Sequence, residues 1–409
     1  MTTPKKCFTK LVILILFYSF SGHTQKVKFN KGRVEHKGYY TEVAYNELKS
    51  KLIIPVIIQD KTYQFLFDTG APTLISHTLK TKIQTRALSS IRVKDANDSG
   101  RPLEVVTIPA LEIGGVSFKN SPAIVNDPAS NFLFDCLDID GIIGSNLLRN
   151  SIVQIDSSKK MIMITDQLSR LTLEGLGSLD MSLSRGQSSP YIWIQLRGEG
   201  KAREQVLFDT GAQGFYDLSS NSFQVLDSLK VFSHTESAVG YKGVGLFGVS
   251  NPVMHYRVQV PELGILGTTF LNVISVSTPA SKSRIGADLL AHAKVTLDFK
   301  NQKFFLESFK EKVDLQEEVW AFSPTAKDSS LVVGIVWDKN LVKKAHYGDA
   351  ILSVNDIETD KMNICDLLIK ESAFEKNQIL QIVFRDSTGA KQSVELKKQL
   401  LKTHAKIVE

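Results

Sequence analysis

The sequence predicts a mainly β protein in which two homologous lobes are followed by a small α+β domain. Three observations carry that reading: a long segment that recurs, apolar residues spaced at the period of strands, and a change of pattern near Ser308.

The recurrence comes first. FLFDTGAPTLIS (Phe65 to Ser76) returns as VLFDTGAQGFYDLS (Val206 to Ser219), so that Asp209 follows Asp68 by 141 residues. GSNLLRNSIVQIDSSKKMIMI (Gly144 to Ile164) aligns without a gap with GADLLAHAKVTLDFKNQKFFL (Gly286 to Leu306), 142 residues on. Between these anchors the register slips: LEIGGVSFKN (Leu111 to Asn120) resembles LGILGTTFLN (Leu263 to Asn272) at an offset of 152. The second copy has therefore gained residues around Val239 to Val249, a glycine-rich stretch expected to be mobile.

Within each copy, short β-branched runs are bounded by turn residues, which is strand rather than helix patterning. Ile53 to Ile58 and Thr62 to Phe67 flank a turn at Gln59 to Lys61 and lead into Asp68. Tyr191 to Leu196 and Glu204 to Phe208 do the same around Arg197 to Lys201, ahead of Asp209. The only helices expected inside the lobes are Ser145 to Arg149 and Ala287 to His292. The lobes are placed at residues 40–168 and 180–308. Beyond them, Phe309 to Glu318 is charged and reads as a linker. Val332 to Trp337, Ala350 to Val354, Leu380 to Phe384 and Gln392 to Leu396 then read as strands, and Asn363 to Ala373 as a helix, giving a domain over residues 319–402.

Lys5 and Lys6, the apolar run Leu11 to Phe20 and the small residues Ser21 and Gly22 form a secretory signal peptide over residues 1–22, too short to span a bilayer. The chain is expected to be exported, to a periplasm or the medium; an uncleaved signal would leave it membrane-associated. Residues Gly22 to Glu42 are open to two readings, an ordered first strand or a removable segment. Losing Lys5, Lys6 and Lys10 lowers the formal charge from +6 to +3, too slight a surplus for a nucleic-acid binder. Cys136 and Cys365 fall in different domains and are expected to be unpaired thiols. The scattered histidines lack metal-ligand spacing, and no P-loop, dinucleotide fingerprint or serine-hydrolase elbow occurs, so neither metal nor cofactor is expected.

A carboxylate at the end of an apolar strand, followed by Thr and Gly, suits a tight turn that presents it at a shared cleft. Gly70 and Gly211 relieve steric limits there, while Thr69 and Thr210 can bond across to hold the two turns in register. Two carboxylates face to face cannot both ionise cheaply and so share a proton. The ionised one can take a proton from water while the protonated one polarises a carbonyl.

Asp68-Thr69-Gly70-Ala71 and Asp209-Thr210-Gly211-Ala212 resemble the active-site turns of aspartic peptidases, the alanines being closer to the retropepsin-like branch than to the pepsins. The resemblance covers about residues 45–308. It implies two aspartic-peptidase β-lobes forming a pseudo-dimer within one monomeric chain, Asp68 and Asp209 as catalytic residues, and a peptide or unfolded protein as substrate. The alternative within the same fold is an inactive peptide-binding scaffold. In that family a hydrophobic-hydrophobic-Gly element supports each turn. Ile142-Ile143-Gly144 matches it in lobe one. In lobe two the spacing selects Arg284-Ile285-Gly286, where an arginine replaces the first apolar residue, rather than Ile265-Leu266-Gly267, which aligns with the Ile113 to Gly115 hairpin. A flap is expected from the insertion at Gly240-Tyr241-Lys242-Gly243, or else from Asp98-Ser99-Gly100. The tail run Gly348-Asp349-Ala350-Ile351-Leu352-Ser353-Val354-Asn355-Asp356 resembles a PDZ domain of the bacterial protease-associated kind, which implies binding of a C-terminal peptide, with Ser329 to Gly334 as the weak candidate for its carboxylate loop.

Overall fold

Strand alternation sets the first layer. In the computed structural model, which describes residues 28–94, 100–128, 132–173, 175–245, 248–249, 251–327, 330–361, 363, 365–366 and 373–401, lobe one contains β1 (Tyr40–Ala44), β2 (Lys51–Ile58), β3 (Lys61–Asp68), β4 (Leu74–Ile75), β5 (Arg86–Lys94), β6 (Gly100–Ile113), β7 (Val116–Val125), β8 (Gly141–Gly144), β9 (Ile152–Asp156) and β10 (Met161–Thr165). On β2, Ile54, Val56 and Ile58 point into the core while Pro55 and Ile57 lie outside it. β2 and β3 form a hairpin whose two turn residues, Gln59 and Asp60, both take positive φ, the geometry that matches strand twist. β8 runs parallel to β3 with Gly144 opposite Asp68, so the chain's return places a glycine beneath the end of the aspartate strand. The signal-peptide segment lies outside the described residues.

Lobe two repeats the plan with β11 (Pro190–Arg197), β12 (Lys201–Phe208), β13 (Tyr216–Asp217), β14 (His234–Gly240), β15 (Val253–Ile265), β16 (Thr268–Val276), β17 (Arg284–Ile285), β18 (Ala293–Asp298) and β19 (Lys303–Ser308). β17 is parallel to β12 with Ile285 opposite Phe208, as Ile143 is opposite Phe67 in lobe one. Gly114 and Gly115 turn the β6–β7 hairpin at positive φ, and Leu266 and Gly267 turn β15–β16 in the same way. Ile265-Leu266-Gly267 is therefore a hairpin turn, and Arg284-Ile285-Gly286 the element beneath the second aspartate. The lobes meet in a six-stranded antiparallel sheet in the order Ser178–Asp180, β19, β18, β9, β10, β1, with its seam at Ile155 opposite Val295. One apolar core containing Phe65, Phe67, Phe208 and Phe304 runs through both lobes.

Three expectations change. Helices are more numerous than the two foreseen: α1 (His77–Lys82), α2 (Phe132–Leu137) and α4 (Ser220–Ser228) join α3 (Ser145–Leu148), while Ala287–Ala291 is a 3₁₀ turn. Ser76 and Ser219 cap α1 and α4 through their hydroxyls, immediately after each aspartate loop. The stretch taken as a linker supplies a strand, Lys312–Asp314, that pairs with β16 and extends lobe two. Cys136 of α2 and Cys365 are joined in a disulfide with their Cα atoms 4.9 Å apart, because the tail folds back over lobe one and brings together residues 229 apart in sequence. Closing so long a loop stabilises typically by about 2–4 kcal/mol. We expect reduction, or Cys136→Ser, to speed limited proteolysis of the tail at unchanged cleavage of the lobes.

The tail comprises β20 (Phe322–Lys327), β21 (Ser330–Val336), β22 (Ala350–Val354), β23 (Ile379–Arg385) and β24 (Lys391–Lys397) around its own core of Phe322, Val333, Ile351, Ile382 and Phe384. Of the expected helix over 363–373, residues 364 and 367–372 lie outside the described residues. Of the Ser329 to Gly334 candidate, Ser329 lies outside the described residues and Ser330 to Gly334 belong to β21, which pairs with β20, so the described part is strand rather than a carboxylate-binding loop. Arg257 of β15 fixes the tail to lobe two. It pairs with Glu236, donates to Trp320 O at 2.8 Å and lies 4.8 Å from the Trp337 ring centre.

Candidate active site

Each aspartate ends a strand whose alternate residues are buried, Phe65 and Phe67 before Asp68 and Val206 and Phe208 before Asp209, so strand packing fixes its height above the core. Beyond the strand, Gly70 N and Ala71 N donate to Asp68 Oδ1 at 2.8 and 3.1 Å, and Gly211 N and Ala212 N donate to Asp209 Oδ1 at 3.0 and 3.1 Å. Both carboxyl groups thus have one oxygen committed to their own turn, which leaves the other to face away from it. The threonines lock the turns together. Thr69 Oγ1 donates to Phe208 O at 2.7 Å and accepts from Thr210 N at 3.1 Å; Thr210 Oγ1 donates to Phe67 O at 2.8 Å and accepts from Thr69 N at 3.1 Å. These groups are buried, where such bonds are costly to lose.

This lock sets each turn directly against the other lobe's carboxyl group. A Cβ placed on Gly70 would fall on the Asp209 carboxyl, and one on Gly211 would fall on that of Asp68. Glycine is needed here for closeness of approach, not for unusual φ. From below, Ser145 Oγ donates to Thr69 O at 2.6 Å, and Asn146 Oδ1 accepts from Thr73 N and Thr73 Oγ1 at 2.7 and 2.9 Å. In lobe two, Ala287 N donates to Ala212 O at 3.0 Å. Gly144 and Gly286 have loop backbone where a Cβ would stand.

Burial, and next the neighbouring Asp209 charge, push the Asp68 carboxyl up to about 7, against the pull of Lys51 and of the Gly70 N–H. Lys51 was not foreseen as part of this site. Its ammonium donates to Gly211 O; burial pushes it down, opposed by Asp209, Asp68 and Asp217. Arg284 Nη1 lies 3.2 Å from Asp209 Oδ2 and its Nε lies 3.5 Å from Asp217 Oδ2. Asp217 in turn pairs with Lys242 Nζ at 3.2 Å. The Arg284 departure was visible in the sequence, but its direction was not: it supports the second aspartate by charge where lobe one uses an apolar side chain.

The insertion expected as a flap is tied down at its base. Gly240 pairs with Ile335 of β21, Tyr241 N donates to Gly334 O at 2.9 Å, and the Tyr241 ring packs against Lys327 and Tyr347. Gly243 follows at positive φ. In lobe one, Gly100 opens β6, while Asp98 and Ser99 lie outside the described residues. Among the described residues no group of three metal-ligating side chains occurs. A cavity of about 1160 Å³ lies away from the dyad, between β14 and the tail, and is lined by Glu236, Arg257, Trp320 and Trp337.

Residues 54–147, which hold the first aspartate turn and its Ile-Ile-Gly support, match a protein-family model described as aspartyl protease. Over residues 54–147 the chain is aspartic-peptidase-like. A solved structure, the aspartic proteinase from Irpex lacteus, is similar at 12% identity and a TM-score of 0.43, over 66% of this chain and 97% of that one. No curated protein matches the sequence.

Proposed function

We propose that the chain is an aspartic endopeptidase whose two lobes form a pseudo-dimer and supply one catalytic carboxylate each. The observation that carries this reading is the interlock itself: two Asp-Thr-Gly turns, cross-bonded through Thr69 and Thr210, with each glycine against the other lobe's carboxyl. Asp68 holds a proton up to about neutral pH, and Asp209 is the acceptor for a proton from water. Water attacks the scissile carbonyl as Asp209 takes its proton and Asp68 donates to the carbonyl oxygen; the resulting diol collapses as the proton on Asp209 passes to the leaving amine and a diol hydroxyl returns its proton to Asp68. The substrate is an extended peptide or unfolded protein. The tail is a PDZ-like module, with β20 as the edge to which a C-terminal peptide adds. β20 pairs only with β21 among the described residues, and beside it runs a cavity of about 480 Å³ lined by Phe322, Pro324, Phe374 and Lys398. The disulfide supports export to an oxidising compartment.

One observation favours a second reading, an inactive peptide-binding scaffold: the Arg284 guanidinium already holds Asp209 Oδ2 and competes there with water. Incubation with a peptide library from pH 4 to 9 separates the two. An endopeptidase cleaves, with a rate that falls as pH rises through about 7, where Asp68 loses its proton; a scaffold binds peptides and leaves them whole at every pH.

A further inference from the structure

The two lobes are not equivalent around the dyad, and the differences share one sign. Strand register pairs Ile142 with Leu74 in lobe one; the corresponding cross-strand pair in lobe two is Arg284 with Asp217. The register of β2 on β3 and of β11 on β12 likewise makes Lys51 the counterpart of Ser189. The two do the same task in opposite lobes: Ser189 Oγ donates to Gly70 O at 3.4 Å, and the Lys51 ammonium donates to Gly211 O. At both places a neutral side chain beside the Asp68 turn is replaced by a cation beside the Asp209 turn.

Building on the peptidase reading, we propose that Arg284, held by Asp217 and assisted by Lys51, is a positioning residue that fixes the direction of proton sharing, making Asp209 the anionic base and Asp68 the proton donor. A guanidinium N–H has no acceptor capacity, so Asp209 Oδ2 at 3.2 Å must be the acceptor and is matched in its ionised form. On Asp68, Oδ1 meets backbone N–H groups; the Lys51 charge acts on it as it does on Asp209, but the Arg284 hydrogen bond goes to Asp209. The charged and titratable groups facing the pair are Lys51 from β2, Arg284 from β17, Asp217 from β13, Lys242 from the insertion and Tyr191 from β11, whose hydroxyl is raised first by burial and then by Asp209. Burial works against the Arg284 charge, yet Asp209 and Asp217 outweigh it and hold the guanidinium above its ordinary range. In a symmetric dyad either carboxyl can take the proton; here the geometry selects one.

The test uses the full chain labelled with ¹³C at the aspartate carboxyl carbon, with Asp68 and Asp209 assigned from Asp68→Asn and Asp209→Asn. In the wild type, the Asp209 signal is expected to keep its ionised position at the pH where the Asp68 signal moves. Arg284→Ile combined with Asp217→Leu rebuilds the apolar pair of lobe one and so guards against misfolding. In that variant the two signals should move together. Removing an opposite charge at this distance shifts a carboxyl by about one pH unit or more. Cleavage at pH 5 relative to pH 7 should therefore fall, and Arg284→Lys should recover part of it. Lys51→Met should change the same ratio in the same direction by less. Unchanged carboxyl titration, or a rate lowered equally at all pH values, overturns the proposal. If the wild type cleaves no peptide, the peptidase reading fails, and the carboxyl titration alone still decides this one.

Discussion

Asp68→Asn and Asp209→Asn should each, alone, lower peptide hydrolysis by about 10²–10⁴-fold, the size of a lost general acid or base. Asparagine keeps the shape of aspartate and its Oδ1 can still accept from Gly70 and Ala71, or from Gly211 and Ala212, so far-ultraviolet circular dichroism should be unchanged. The two variants should nevertheless differ. In Asp68→Asn the new amide can still donate a hydrogen bond to a carbonyl. In Asp209→Asn it cannot take a proton, and Arg284 is left facing an uncharged group. Asp209→Asn is therefore expected to be the more severe and the less stable of the two. Full activity in either variant would exclude the dyad.

The second large effect needs no change to any carboxylate. Gly70→Ala and Gly211→Ala each put a methyl group onto the other lobe's aspartate, and the clash is hard to relieve because both turns are locked by Thr69 and Thr210. Overpacking of this kind costs about 1–3 kcal/mol, and the carboxyl groups are forced apart. We expect activity to fall by about 10²-fold or more, the scale of a catalytic group moved by about 1 Å, with a lowered melting temperature. If Gly211→Ala stays active while only its stability drops, close approach of the turns is not what the glycine provides. Both substitutions should show the loss, because each glycine meets the opposite lobe.

Much of this site could be read from residue order. The repeated Asp-Thr-Gly turns, the strands that end in them and the glycines 76 and 77 residues on are local features, set by alternation and by the steric needs of a tight turn. The choice of Arg284-Ile285-Gly286 over Ile265-Leu266-Gly267 also followed from spacing. What could not be read were partnerships across long separations. Lys51 looks like the start of an ordinary strand, and nothing local shows that it reaches the Gly211 carbonyl 160 residues away. Arg284 was seen as a missing apolar contact because Asp217, its cross-strand partner, gains meaning only once β13 lies beside β17. Cys136 and Cys365 were placed apart because their domains are separate in sequence, while the tail's return over lobe one is a matter of tertiary packing. The serine caps at Ser76 and Ser219 are local signals for α1 and α4, which the surrounding strand alternation masks.

That one chain furnishes both halves of the dyad is most directly tested by mixing the two inactive variants. Equal amounts of Asp68→Asn and Asp209→Asn, incubated together over a wide range of concentration, should show no more hydrolysis than either alone, because each molecule's dyad carries its own lesion. Activity that reappears on mixing and grows with concentration would mean that sites form between two chains, each lending its intact aspartate, and would contradict a dyad built within one.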